Sequence, residues 1–135
     1  MADSVTILCV EDDADIGALI RLLLNSEHCT LALAGAAEDA LEFLRHTHPD
    51  LLLLDLMLPH GTGLDLLEEL RREERFRDLP VVVTTVMTDT AERVRARALG
   101  VRHYVTKPFA PFELRATLSK VLGRPAEELW PGPGP

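Results

Sequence analysis

Three uninterrupted apolar runs constrain this chain more than any other feature. They are Val5-Thr6-Ile7-Leu8-Cys9-Val10, Leu51-Leu52-Leu53-Leu54 and Val81-Val82-Val83. Runs this short and this continuously apolar suit strands buried on both faces, which is the condition of a parallel sheet covered by helices. Two weaker runs, Thr30–Ala34 and Arg102–Val105, bring the expected strands to five. Helical periodicity separates them. Ile16, Ile20 and Leu23 share one face, as do Ala37, Ala40, Leu41 and Leu44. Leu64, Leu67 and Leu70 mark a third helix, Val94 and Ala98 a fourth, and Leu114, Leu118 and Val121 a fifth. Gly100 and Gly123 fall where helices end in a left-handed residue. Strict strand–helix alternation predicts an α/β fold with helices on both faces of a parallel sheet and right-handed crossovers.

The sheet needs a large aliphatic core, and the composition supplies one. Of 135 residues 47% are hydrophobic but only 4% aromatic, so leucine, valine and alanine must fill it. One domain is the expectation for this length. The net charge of −8 comes with no block of basic residues, which argues against direct nucleic-acid binding by this domain. Cys9 lies in an expected strand and Cys29 at the start of another, without metal-ligand spacing, and both read as buried small hydrophobes. No run approaches transmembrane length and no leader opens the chain, so the cytoplasm is the expected compartment. After Gly123 the character changes. Residues 124–135 form a Pro/Gly-rich tail, expected to be extended, beyond a domain of residues 1–123. Leu129 and Trp130 in that tail are costly to leave in water, at about 1.5–3 kcal/mol each. Two readings of the tail stand side by side: a frayed, disordered end, or a segment that lays Trp130 against a partner subunit in a homodimer.

Chemistry concentrates where the strands end. Glu11-Asp12-Asp13 follows the first run, Asp55 closes the third, Thr84-Thr85 closes the fourth and Lys107 follows the fifth. Ligands of open parallel sheets bind outside the carboxyl ends of the strands. Asp13 suits the N-terminus of the first helix. Glu11, Asp12 and Asp55 would repel one another without a hard cation, and magnesium takes oxygen ligands of this kind. Asp55 can act as a carboxylate nucleophile that carries a phosphoryl group. Lys107 is expected to pair with Asp55 and then with a phosphoryl oxygen. Strand alternation lets only one of Thr84 and Thr85 face the site. Of the five histidines, His60 alone is expected to edge it, the others lying on the surface.

These stretches resemble the receiver domain of two-component response regulators over about residues 4–123. The resemblance rests on Ile7–Asp13, on Leu54-Asp55-Leu56-Met57-Leu58-Pro59 with Gly63, on Pro80–Thr85, and on Gly100 followed by Tyr104-Val105-Thr106-Lys107-Pro108-Phe109. It implies a flavodoxin-like fold with five helices and strand order 2-1-3-4-5. It implies that Asp55 is phosphorylated by the phosphohistidine of a sensor kinase or histidine phosphotransfer protein. Glu11 and Asp12 match the magnesium-binding acids, with the Met57 carbonyl as a further ligand. Thr85 matches the switch hydroxyl, Tyr104 the switch aromatic, and a cis Lys107–Pro108 bond is expected. Such a domain is a phosphoacceptor with magnesium-dependent self-phosphorylation and slow self-dephosphorylation, not an enzyme in the ordinary sense, and it signals to a downstream protein target through a change on its fourth helix, fifth strand and fifth helix.

The chain also departs from that pattern. Val86 stands where a small residue is usual and is expected to narrow access to Asp55. Val101-Arg102-His103 lacks the acidic pair of the winged-helix regulators, and Thr117 replaces their usual arginine, which puts their charged dimer interface in doubt. A free-standing receiver is the favoured expectation, with the receiver portion of a longer DNA-binding or enzymatic regulator as the alternative. A flavodoxin would place a Thr/Ser/Gly-rich phosphate loop where this chain has three acids. A haloacid-dehalogenase-type phosphatase would need an acid at Met57.

Overall fold

The computed structural model describes residues 4–59, 61–86 and 89–132, which leaves the expectation for His60 and the last three residues outside it. Five parallel strands form one sheet: β1 (Val5–Val10), β2 (Cys29–Ala34), β3 (Leu51–Asp55), β4 (Val81–Thr85) and β5 (His103–Thr106). Their spatial order is β2-β1-β3-β4-β5, the flavodoxin-like order. Helices α1 (Ala14–Leu24), α2 (Ala37–His46), α3 (Gly63–Arg71), α4 (Thr90–Ala98) and α5 (Pro111–Leu122) connect or follow the strands. A short sixth helix, α6, spans Ala126–Leu129.

The central strands are buried on both faces, as their unbroken apolar runs require. Leu51, Leu52, Leu53 and Leu54 are all fully buried. Alternation divides the core in two. Leu8, Val10, Leu52, Leu54, Val81 and Val83 pack with residues of α2, α3 and α4 on one side. Ile7, Cys9, Leu51, Leu53, Val82 and Val105 pack with α1, α5 and α6 on the other. The helix ends carry their expected chemistry. Asp13 caps α1, its Oδ1 accepting from the amides of Asp15 (2.9 Å) and Ile16 (3.1 Å). Gly123 ends α5 at φ 69° and Gly100 follows α4 at φ 90°, both in the left-handed region. Cys9 and Cys29 are buried free thiols.

Two expectations fail. The apolar pair of α4 does not face the core. Val94 is 64% exposed and Ala98 is exposed, whereas Ala96 is fully buried. Spacing alone could not tell which side of this arginine-rich helix was inward, because polar contacts orient it. Arg95 reaches Asp65 (2.8 Å) and Glu68 (3.0 Å) on α3, and Arg71 Nε donates to the carbonyl of Leu99 at 2.8 Å. The second failure is the extended tail. Pro125 opens α6, and Leu129 and Trp130 are buried against their own domain, at 0% and 4% exposure. The indole Nε1 donates to the carbonyl of Leu24 at 2.6 Å, and Ser26 Oγ donates to the carbonyl of Leu129 at 2.6 Å. The apolar cost assigned to these side chains is thus met within the chain, and Trp130 is not presented to a partner subunit.

Candidate functional site

Strand ends and backbone pairing bring the acids and the lysine to one rim. The amide of Glu11 donates to the carbonyl of Ala34 at 2.9 Å, so β1 stays paired one residue past its last strand position. Asp55 ends β3 beside β1, at the point where the strand order reverses. The amide of Lys107 donates to the carbonyl of Thr85 at 3.0 Å and extends the β4–β5 pairing to the same rim. The Lys107–Pro108 peptide is cis, as expected.

There Lys107 Nζ lies 2.9 Å from Asp55 Oδ2 and 2.5 Å from Glu11 Oε1. Its pairing with Asp55 matches the expectation; the second carboxylate was not foreseen. Asp55 Oδ1 accepts from the amide of Met57 at 3.0 Å, and Glu11 Oε2 from the amide of Asp13 at 3.2 Å. Asp55 and Glu11 are buried, Asp12 is exposed, and one ligand oxygen from each lies within 4.8 Å of the others. Burial raises the Glu11 carboxyl above its ordinary range, and the Asp55 charge adds to the shift. Hydrogen bonds from Lys107 and the Asp13 amide oppose it. For Lys107 burial acts downward, but its bonds to Glu11 and Asp55 outweigh it and raise the ammonium. One protonated lysine therefore faces three carboxylates, and the excess negative charge suits a hard divalent cation. Directly below on the same sheet face, burial pushes the Cys9 thiol far up, and Glu11 and Asp55 push it further against Lys107. A thiol so held is neutral and unreactive.

A cleft of about 250 Å³ opens above these groups, lined by Glu11, Asp12, Asp55, Met57, Val86 and Lys107 among others. Val86 stands at its wall and is 57% exposed. Thr84 and Thr85 are both buried at the end of β4. Alternation puts Thr85 on the sheet face of Val83, and Val83 pairs with Tyr104. Thr85 and Tyr104 thus share one face. The Tyr104 ring lies 4.8 Å below the Arg93 guanidinium, and its hydroxyl donates to the carbonyl of Arg93 at 3.4 Å.

Gly63 holds the loop after Asp55 in place. A Cβ there would stand 2.4 Å from the backbone oxygen of Asp55 and 3.0 Å from Leu54 Cγ. Both are fixed by the buried strand, so Gly63→Ala should destabilise the chain by about 1–3 kcal/mol. Urea unfolding measures this, and an unchanged midpoint would show that the loop can yield.

Comparison with known proteins comes to the same architecture. The model of the response regulator receiver domain matches residues 7–119. Over 118 residues the chain is 39% identical to the phosphate regulon transcriptional regulatory protein PhoB of Escherichia coli (strain K12), covering 87% of this chain and 52% of that protein. It is 39% identical over 127 residues to the DNA-binding response regulator MtrA of Mycobacterium leprae, covering 91% and 55%. The chain spans about half the length of these curated relatives. Among solved structures, a putative response regulator from Chloroflexus aurantiacus superposes with a TM-score of 0.82 at 28% identity, over 90% of this chain and 100% of that one. The receiver domain of the sensor histidine kinase PA1611 from Pseudomonas aeruginosa, solved with a magnesium ion in its active site cleft, gives a TM-score of 0.79 at 27% identity, over 89% and 98%.

Proposed function

This chain belongs to the response regulator receiver domain family, and from that premise we propose that it accepts a phosphoryl group on Asp55 from a phosphohistidine of a sensor kinase or histidine phosphotransfer protein. The observation that carries the reading is the buried Asp55 carboxylate, paired with Lys107 at 2.9 Å and sharing its cleft with Glu11 and Asp12. A carboxylate oxygen of Asp55 attacks phosphorus while the P–N bond of the donor breaks, and the imidazole takes the leaving electron pair. Lys107 then moves from the carboxylate to a phosphoryl oxygen, and the Thr85 hydroxyl donates to another. The three acids and the Met57 carbonyl suit magnesium, which when bound would offset the charge gathered on the phosphoryl oxygens. The new group carries about −1.5 to −2 charges. Thr85 turns toward it, and Tyr104 follows into the space released on their common sheet face, changing the surface of α4, β5 and α5.

The family is not one of catalytic enzymes, and self-dephosphorylation is taken to be slow. Among the described residues no helix is long and apolar enough to cross a membrane, and we place the domain in the cytoplasm, acting on a downstream protein target. Both a free-standing receiver and the receiver of a longer regulator fit the matches.

Incubation with acetyl phosphate and magnesium should add one phosphoryl group, mapped by peptide mass to Asp55, and a chelator should prevent it. Mapping to Glu11 or Asp12, or no gain at all, would overturn the reading. Opening the cleft wall with Val86→Ala should speed both this labelling and its hydrolysis about threefold, a barrier change below 1 kcal/mol. Unchanged rates would show that Val86 does not limit access.

A further inference from the structure

We infer that a second copy of this chain docks on the open edge of β2, joining the two sheets and setting the two α1 helices side by side about a two-fold axis. β2 lies at the edge of the sheet. Its side of the ladder to β1 runs through even-numbered positions. The amide of Val5 donates to the carbonyl of His28 at 3.0 Å, and the amide of Glu11 to that of Ala34 at 2.9 Å. The odd-numbered residues of β2 therefore turn their backbone groups outward. The first half of that edge is closed. Cys29 exchanges backbone bonds with Ser26, and Asn25 Oδ1 accepts from the amide of Leu31 at 3.0 Å. The second half is open. Among the described residues nothing pairs with the carbonyl of Leu31 or with the amide and carbonyl of Leu33. Such an edge is a template for another strand.

Helix α1 stands over the same place. A Cβ on Gly17 would lie 3.6 Å from Leu33 Cδ1, so an axis through Leu33 passes beside Ala18. Ala14, Asp15, Ala18, Arg21 and Leu22 form one strip of the helix and are all exposed, Leu22 at 78%. A hollow of about 390 Å³ lies between this strip and the strand edge, with Ala14, Ala18, Arg21, Leu33 and Gly35 in its lining.

The strip is complementary to itself. Turned about an axis at Ala18, α1 runs antiparallel to its copy. Ala18 then meets Ala18, Asp15 meets Arg21, and Leu22 covers Ala14 at the hollow. Neither the Asp15 carboxylate nor the Arg21 guanidinium pairs with another side chain among the described residues. An isologous contact makes each of these pairs twice. On the strands, the same axis lets each Leu33 amide donate to the other Leu33 carbonyl, and each Gly35 amide to the Leu31 carbonyl opposite. The Asn25 cap stays in place. Paired strands lie about 4.7–4.9 Å apart, which brings helices over the joined edges near the spacing of about 8–10 Å at which helices pack. A foreign strand would fill the edge but leave Asp15 and Arg21 unanswered, so the charges select a second copy.

Sedimentation velocity on the full chain at rising concentration tests the contact, and the wild type should pass from monomer to dimer. Asp15→Arg and Arg21→Glu should each weaken dimerisation about tenfold, because each sets like charges opposite one another at two symmetric places. An equimolar mixture of the two variants should recover wild-type association, since every charge then faces its opposite. Loss of fold in a variant could not give that recovery. Ala18→Cys should form a dimer-linking disulfide on oxidation with diamide, as two residues meeting on the axis come within about 4.4–6.8 Å. The wild type should not, because Cys9 and Cys29 are buried. Hydrogen exchange at the Leu33 and Gly35 amides should slow as concentration rises. A chain that stays monomeric, association indifferent to both charge reversals, or a mixture that fails to recover would each overturn the proposal. A dimer in which the Leu33 and Gly35 amides stay unprotected would overturn the joined sheet.

Discussion

Trp130→Ala is expected to remove about 3–5 kcal/mol of folding stability, the range for deleting a large buried aromatic side chain. Three observations support so large a value for a residue near the end of the described chain. The side chain is only 4% exposed, within the core half that contains Ile20, Leu24, Cys29 and Leu118. Its Nε1 donates at 2.6 Å to the carbonyl of Leu24, at the C-terminus of α1, where helix carbonyls lack intrahelical donors. Beside it Ser26 Oγ holds the carbonyl of Leu129, so the turn after α1 and the turn of α6 secure each other. Domains of this kind are stable by only about 5–15 kcal/mol, so the loss would be a large fraction of the total. Urea unfolding followed by far-UV circular dichroism measures it. A chain ending at Gly123 should lose a comparable amount, and Trp130→Phe, which keeps most of the apolar volume, should lose less. A change below about 1 kcal/mol for the alanine variant would mean that α6 does not stay docked in solution.

Phosphoryl gain from acetyl phosphate should fall to background in Asp55→Asn. Amides are poor nucleophiles, and the substitution leaves no carboxylate at the position that accepts both the Met57 amide and the Lys107 ammonium. The fold should survive, because asparagine keeps the shape and one carbonyl acceptor. Magnesium affinity should fall as well, since one of the three clustered carboxylates is gone. Glu11→Gln gives the contrast. It too thins the acid cluster, but the nucleophile remains, so labelling should slow without disappearing and should still map to Asp55. Intact mass spectrometry reads both variants. Undiminished phosphorylation of Asp55→Asn would remove Asp55 from the mechanism, whatever the rest of the cleft does.

Much of this protein was decided by short-range pattern. Leu51–Leu54 and Val81–Val83 read as strands buried on both faces, because short continuous apolar runs in a strand–helix alternation suit a parallel sheet covered by helices. With five strands in βα alternation, crossover handedness and the rule for ligand position then carried Glu11, Asp12, Asp55 and Lys107 to one rim. Each lies one or two residues from the end of an apolar run, so locating the run located the residue. What spacing left open was decided by contacts between residues far apart in sequence. The second carboxylate on Lys107 comes from Glu11, 96 positions away, and arises only when β1 and β5 are set around β3 and β4. Helix α4 carries an apolar pair, Val94 and Ala98, that looked inward by period. Arg95 with Asp65 and Glu68, and Arg71 with the Leu99 carbonyl, turn the helix so that Ala96 is buried instead. The Pro/Gly composition around Trp130 described a chain that is extended when alone. It could not register the groove formed by α1 and α5, whose apolar surface and unpaired helix-end carbonyl give Leu129 and Trp130 a better environment than water. Local sequence sets periods and strand ends, whereas the rotation of a weakly amphipathic helix and the docking of a terminal turn depend on surfaces that exist only once the rest of the chain has folded.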